Sequence, residues 1–296
     1  MSRYNKKISI IIPTIRMQSV LKTVESVIAQ ADNYDYEIII VGKNANAVGS
    51  IFTNCNVVFI DTGTQHPPSQ TRNIGASRAK GEILLFIDDD CEAAQGWLKN
   101  NLKFLTDPLV GIVTGKVVGK SGRFFAKCVD LNFYLQQGER ERTLERFSSI
   151  TFGIRRAVFN ELKGFDESII VREDIDLARR VVAAGYKILY SPDIAVIHDH
   201  KRDSFAKLLR YQYKLGLLSG LSVPFKHRRG WKDYIKVSFK DFYFLLVLPV
   251  AIWSTAKQIA GIFKLERNLL LFLPFIFISN LSYQLGVLRW LRLRAE

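Results

Sequence analysis

Residues 67–90, PPSQTRNIGASRAKGEILLFIDDD, decide the fold. Pro67 and Pro68 stand where a helix can begin, because the N–H that proline lacks is unused in a first helical turn, and Gly81 stands where one can end. The pattern predicts a helix over residues 67–80. Residues 83–87, ILLFI, are an apolar run of strand length, and Asp88, Asp89 and Asp90 follow at once. In open α/β sheets ligands collect beyond the carboxyl ends of the strands. Three adjacent carboxylates there repel one another, and a cation relieves the repulsion. Carboxylate oxygens with few other donors suit Mg²⁺ or Mn²⁺ carrying a diphosphate. Taken alone, an acidic triplet is more often a solvated turn; its position after a buried strand brings the two readings level.

Outward from this stretch the same alternation recurs. Residues 8–12, 37–41 and 57–60 are short β-branched runs bounded by turn formers, and residues 19–30 carry apolar side chains at helical spacing. Residues 174–184 read as a helix stopped by Gly185, followed by strand-like runs at 187–190 and 194–197. Strands alternating with helices predict an α/β fold, a doubly wound, mostly parallel sheet buried on both faces. The 296 residues are 48% hydrophobic and 24% charged, which excludes wholesale disorder and allows a core without disulfides. Cys55, Cys91 and Cys128 form no close pair, so neither a disulfide framework nor a zinc knuckle is indicated and a reducing compartment is expected. The apolar run before Pro13 is too short for a signal-peptide core.

Charge divides the chain. Residues 1–200 hold 25 Lys and Arg against 23 Asp and Glu, whereas residues 201–296 hold 17 against 5. Within that last third, residues 201–241 mix basic and aromatic side chains and read as a basic amphipathic connector. Residues 242–263 and 268–288 are two apolar stretches joined by KLER, each long enough as a helix to cover roughly 30 Å. Lys232, Lys236 and Lys240 precede the pair and Arg289, Arg292 and Arg294 follow it, as expected for a hairpin with both ends cytosolic. Helices lying flat on the membrane surface, or a soluble helical subdomain, fit the same pattern.

A second acidic group, Glu173-Asp174-Ile175-Asp176, opens the helix at 174–184, where carboxylates complement the helix dipole. His198 and His200 follow the strand-like run at 194–197.

These stretches together resemble the family-2 glycosyltransferases of the GT-A fold, inverting enzymes that use nucleotide-sugar donors. The resemblance rests on ISIIIPT, on QTRNIGASRAKGEILLFIDDDCEAAQGWL, and on FGIRRAVFNELKGFDESIIVREDIDLARRVVAAGYKILYSPDIAVIH, and covers about residues 8–200. It implies a GT-A catalytic domain over residues 1–200; the composition of the tail adds a basic amphipathic connector at 201–241 and a hydrophobic helical hairpin at 242–296 as a candidate membrane anchor. It implies that Thr14, Arg72, Asp88 and Asp89 bind the nucleotide sugar. Asp90, Asp88 and His198 would hold Mn²⁺ or Mg²⁺, and Asp174 would be the general base. The chain departs from the family where an acidic turn often ends the second strand: here Val41-Gly42-Lys43-Asn44-Ala45-Asn46 has no carboxylate. Asn44 or Asn46 can hydrogen-bond a base through its amide, and the donor stays open among UDP-, GDP- and dTDP-sugars. Trp231 lacks the preceding glutamine of processive synthases, so transfer of a single sugar is expected. The expected acceptor is a lipid-linked glycan or glycolipid at the cytoplasmic face of the cell membrane, with the hairpin integral or peripheral. A nucleotidyltransferase on a related fold is the alternative. Nucleic-acid binding through the basic tail is set aside, because cations beside long apolar stretches match lipid headgroups better.

Overall fold

The computed structural model describes residues 7–15, 17–31, 33–45, 56–131, 138–219, 243–262 and 269–293. Asn46, Cys55, Trp231, residues 220–241 of the connector, the KLER link and Arg294 lie outside the described residues. The chain divides into two compact units, residues 1–120 with 135–167 and 173–200, and residues 121–134 with 168–172 and 201–296.

The first unit is built on one mixed sheet. Four strands, β1 (Ile8–Pro13), β2 (Tyr36–Gly42), β3 (Val57–Asp61) and β4 (Ile83–Ile87), pair in parallel in the order β3-β2-β1-β4. Helices α1 (Met17–Ile28) and α2 (Pro68–Arg78) belong to this half. Their β-branched residues suit a pleat covered on both faces, and β1 and β4 are buried almost throughout. The sheet reverses direction of growth at β1, with β2 on one side and β4 on the other, so a crevice opens between the carboxyl ends of β1 and β4.

Beyond β4 the all-parallel pairing gives way to a mixture of antiparallel and parallel pairs. The order continues β4-β8-β6-β9-β5, with β5 (Cys91–Ala93), β6 (Val110–Gly119), β7 (Arg142–Leu144), β8 (Thr151–Arg155) and β9 (Lys187–His198). Strand β8 runs antiparallel to both β4 and β6, β9 is parallel to β6, and β5 and β7 pair antiparallel with β9. The two runs expected at 187–190 and 194–197 are one strand, because a register shift between Gly115 and Lys116 of β6 absorbs Pro192, Asp193 and Ile194.

The core beneath β4 and β8 is aromatic. Phe86 stacks on Phe152 at 4.4 Å between ring centroids, and Phe159 and Phe165 close around them. Helices α3 (Trp97–Phe104), α5 (Arg156–Glu161) and α6 (Glu173–Ala183) complete the unit, and the buried Trp97 donates its indole N–H to Thr151 Oγ1 at 2.9 Å. Gly75 lets α2 lie on β1: a Cβ there would stand 2.5 Å from Ile11 Cγ2. That close approach fixes the height of Arg72, one turn earlier on the same helix.

The second unit is helical: α4 (Phe124–Asp130), α7 (Phe205–Ser219), α8 (Tyr243–Ile262) and α9 (Leu269–Leu293). Cys128, Val129, Leu208, Phe272 and Ile276 form its core.

Phe152 is fully buried, so Phe152→Ala removes a stacked ring and leaves a cavity. It is expected to cost about 3–5 kcal/mol in urea denaturation, against no more than about 0.5 kcal/mol for Val118→Ala on an exposed position. Equal costs for the two would contradict this account of the core.

Candidate active site

Arg72 is the hub. Its side chain is 4% exposed; Nη2 donates to Asp88 Oδ1 at 2.7 Å and Nη1 to Glu173 Oε1 at 2.9 Å. Nη2 also reaches the Ser149 carbonyl at 3.3 Å, and the guanidinium sits over the Phe165 ring, 5.7 Å from its centroid. One side chain on α2 thus ties the acidic turn after β4 to the first turn of α6, 101 residues away. Burial by itself would lower the Arg72 pKa, but the Asp88 and Glu173 carboxylates together outweigh it and leave the pKa raised.

Each member of the acidic triplet has its own task. Burial pushes the Asp88 carboxyl up to about 6, Arg72 pulls against that shift, and the charge of Asp90 adds to it. Asp89 turns toward β1, where its Oδ2 accepts from Thr14 Oγ1 and from the Ile15 N–H, both at 2.9 Å. The Asp89 carbonyl accepts from Thr23 Oγ1 at 3.1 Å, which ties α1 to the same turn. Asp90 is 7% exposed, and its Oδ1 lies 3.4 Å from Nε2 of the buried His198. Register makes that meeting: Cys91 on β5 pairs with His198 at the end of β9, and the Asp199 N–H bonds to the Asp90 carbonyl at 2.8 Å. His200 lies beyond the strand, with its ring 5.3 Å from that of His198.

Among the described residues, the group that could hold a metal ion is Asp90, Cys91 and His198, all buried, with one donor atom from each within 4.8 Å of the others. A carboxylate oxygen and an imidazole nitrogen accommodate Mn²⁺ or Mg²⁺, Mn²⁺ taking the nitrogen more readily. Of the Asp88 carboxylate, Oδ1 accepts from Arg72.

Asp174 lies in the first turn of α6. Its Oδ1 accepts from the Ile175 N–H at 2.8 Å and its Oδ2 from the Ser149 N–H at 3.4 Å. Burial raises the Asp174 carboxyl pKa, the neighbouring Glu173 charge raises it further, and the Ile175 N–H and Arg72 offset part of the rise.

Asn44 follows β2 in the left-handed region, φ 61°, and is exposed. Its N–H donates to Asp61 Oδ1 at 3.0 Å, and the same oxygen accepts from the Gly63 N–H at 2.8 Å. Thr14, Asn44, Asp61 and Asp88 therefore all follow or end the parallel strands at their carboxyl edge.

Sequence reasoning missed Asp61, Cys91 as a potential ligand, and Glu173 and Ser149 as partners of Arg72. The first two carried a signal: Asp61 ends a recognised strand, and Cys91 adjoins the triplet. Nothing in the spacing marks Ser149.

Residues 5–212 match the profile of the family described as "Glycosyltransferase like family 2". The chain belongs to that family. It is 27% identical over 169 residues to a pre-mycofactocin glycosyltransferase of Mycobacterium tuberculosis, covering 53% of this chain and 36% of the relative. The chain thus spans little more than a third of that protein. It is 26% identical over 221 residues to the O-antigen chain rhamnosyltransferase RfbN of Salmonella typhimurium, covering 69% of this chain and 70% of that one. Its fold matches that of the mannosyltransferase PcManGT from Pyrobaculum calidifontis, crystallised with GDP-Man and Mn²⁺, with a TM-score of 0.63 at 17% identity over 99% of this chain and 89% of that one.

Raised carboxyl values mean that the folded chain holds these protons more tightly than the unfolded chain does. The stability they contribute is complete below about pH 4, the unfolded carboxyl value, and is lost as pH rises through the folded values, about 6 for Asp88. With metal chelated, Asp174→Asn is expected to melt above the wild type at about pH 8 and level with it near pH 4. A melting difference that ignores pH would contradict the buried, proton-retaining environment of Asp174.

Proposed function

We propose that this chain transfers a single sugar from a nucleotide-sugar donor to an acceptor hydroxyl with inversion at the anomeric carbon. The observation that carries the reading is the buried Arg72 bridge, which gathers the acidic turn after β4 and the first turn of α6 beside the sheet's crevice.

In this reading Thr14, Asn44, Arg72, Asp88 and Asp89 form the nucleotide side of the site. Asp89 acts by fixing the segment after β1, through its bonds to Thr14 and Ile15, and Arg72 by setting the pose of Asp88. Asp61 joins them through Asn44 as a contact for base or ribose hydroxyls. Asp90 and His198, with Asp88 nearby, hold Mn²⁺ or Mg²⁺, which when bound offsets charge on the departing nucleoside diphosphate. Asp174 takes the proton of the acceptor hydroxyl as the new oxygen–carbon bond forms and the bond from the anomeric carbon to the diphosphate oxygen breaks on the opposite face. Its raised pKa suits a base better than an ordinary carboxylate does, because a more basic oxygen drives proton transfer further. Glu173, bound by Arg72, orients the turn that carries Asp174.

The acceptor in this reading is a lipid-linked glycan or glycolipid at the cytoplasmic face of the membrane. Two features support it: RfbN is named for an O-antigen chain, and the second unit exposes large apolar side chains, among them Leu245, Leu248, Ile252 and Trp253. UDP-, GDP- and dTDP-sugars are the donors to compare.

A thermal-shift panel of nucleoside diphosphates and nucleotide sugars with and without Mn²⁺ identifies the donor, since a ligand that binds the folded state raises the melting point. Asp174→Asn is expected to lower turnover at least about 10²-fold while the nucleotide shift persists. Asp90→Ala is expected to lose the Mn²⁺-dependent part of that shift. Full turnover in the first variant, or an unchanged Mn²⁺ titration in the second, would remove the residue from its role.

A further inference from the structure

Helices α7 and α9 touch backbone to backbone. A Cβ at Gly216 of α7 would stand 1.9 Å from the Tyr283 carbonyl oxygen, and one at Gly286 of α9 would stand 2.1 Å from that of Tyr213. Leu209 O accepts from Ser282 Oγ at 2.9 Å, and Ser219 Oγ accepts from Tyr283 OH at 2.7 Å. Residues 209–219 of α7 therefore share the level of residues 282–286 of α9.

The apolar length of α9 that could cross a bilayer is Leu271–Leu293, and residue 282 is its midpoint. A crossing would carry the α7 contact to the bilayer midplane. There α7 exposes Arg210 and Lys214, with the exposed Lys207, bonded to Asp203 at 2.7 Å, one turn earlier. The spacing of these three residues, i, i+3 and i+7, places them on one face of the helix. Cations facing hydrocarbon at that depth are strongly disfavoured.

Helix α8 sets a second limit. Its exposed side is apolar from Leu245 through Leu246, Leu248 and Ile252 to Trp253. That is about 12 Å of helix, against about 30 Å of hydrocarbon. It ends where the Lys257 ammonium lies 5.3 Å from the Trp253 ring centroid, a pairing suited to the headgroup level. The polar residues that would weaken a crossing are used within the unit, Asn280 donating to Thr255 Oγ1 at 3.0 Å and to Gln258 Oε1 at 3.3 Å.

We infer that α7, α8 and α9 form a device that enters a single leaflet of an anionic membrane and does not cross it. The exposed face of α8 dips into the acyl chains, and the cations of α7 stay at or outside the headgroup phosphates. This inference rests on the membrane reading given under Proposed function and fixes its topology.

The test uses the full chain in two assays. In flotation, it is expected to rise with vesicles containing phosphatidylglycerol, much less with phosphatidylcholine alone, and less as salt increases. In cell membranes, alkaline carbonate is expected to release it. The double variant Leu248→Glu, Trp253→Glu, both on exposed positions, should lower flotation at least about tenfold with an unchanged melting point. Retention after carbonate overturns the inference in favour of a crossing helix and leaves the membrane reading standing. Failure to float with either vesicle, with the chain soluble in cells, overturns the inference and the membrane reading together. A stable dimer that no vesicle dissociates or floats assigns the α8 face to a second copy and likewise overturns it.

Discussion

The buried guanidinium of Arg72 is the constraint on which the rest of the catalytic unit depends. A cation this deep in protein is tolerated only with its charge matched, and Asp88 and Glu173 match it; Nη1 and Nη2 donate to them and to the Ser149 carbonyl, while the buried Nε has no hydrogen-bond partner among the described residues. The two carboxylates come from opposite halves of the unit, one after the last strand of the parallel layer and the other at the start of α6. Each would be costly to bury without the arginine. The interaction therefore works as a specificity device: the chain closes correctly only when both acidic segments reach the same place.

Around that hub the site divides between groups that are held and groups that are kept reactive. Asp89 and Glu173 are held by hydrogen bonds of 2.9 Å, which tie together separate segments of backbone. Asp88 and Asp174 are kept partly out of water and retain protons that ordinary carboxyls would release. Such carboxyls reduce the stability of the folded chain near neutral pH. The residues that could hold a metal form a third group, positioned by pairing between two strands, since Cys91 and His198 face each other across β5 and β9.

Much of the parallel half was legible from the sequence, for a plain reason. Residues 8–12, 37–41, 57–60 and 83–87 are β-branched runs that can only be buried strands, and β1 to β4 occupy almost the same residues. The antiparallel half was not legible. Strand β6 contains three glycines in ten residues and β8 is five residues long with Gly153 at its centre, so neither shows the pattern of a strand. In β9, Pro192 looks like a break, and only the register shift of β6 opposite it lets the strand continue. For the site, residue types and family spacing picked out Arg72, the triplet, Asp174 and His198. That Arg72 spends its donors on Asp88 and Glu173 depends on a closure across 101 residues, which no local pattern encodes. In the tail, two apolar stretches looked equivalent, yet among the described residues only the second is long and apolar enough to cross a membrane. The depth of either depends on where α7 packs.

The most direct test of the Arg72 hub is a mutant cycle on folding free energy, with metal chelated, using Arg72→Met, Asp88→Asn, Glu173→Gln and their triple combination. If the three charges form one buried, mutually compensated cluster, Arg72→Met alone should cost about 3–5 kcal/mol. The triple variant should then recover a large part of that loss, because no unpaired charge is left behind. Costs that simply add, within about 0.5 kcal/mol, would mean that the three side chains fold independently, and the account of the site built on them would be wrong.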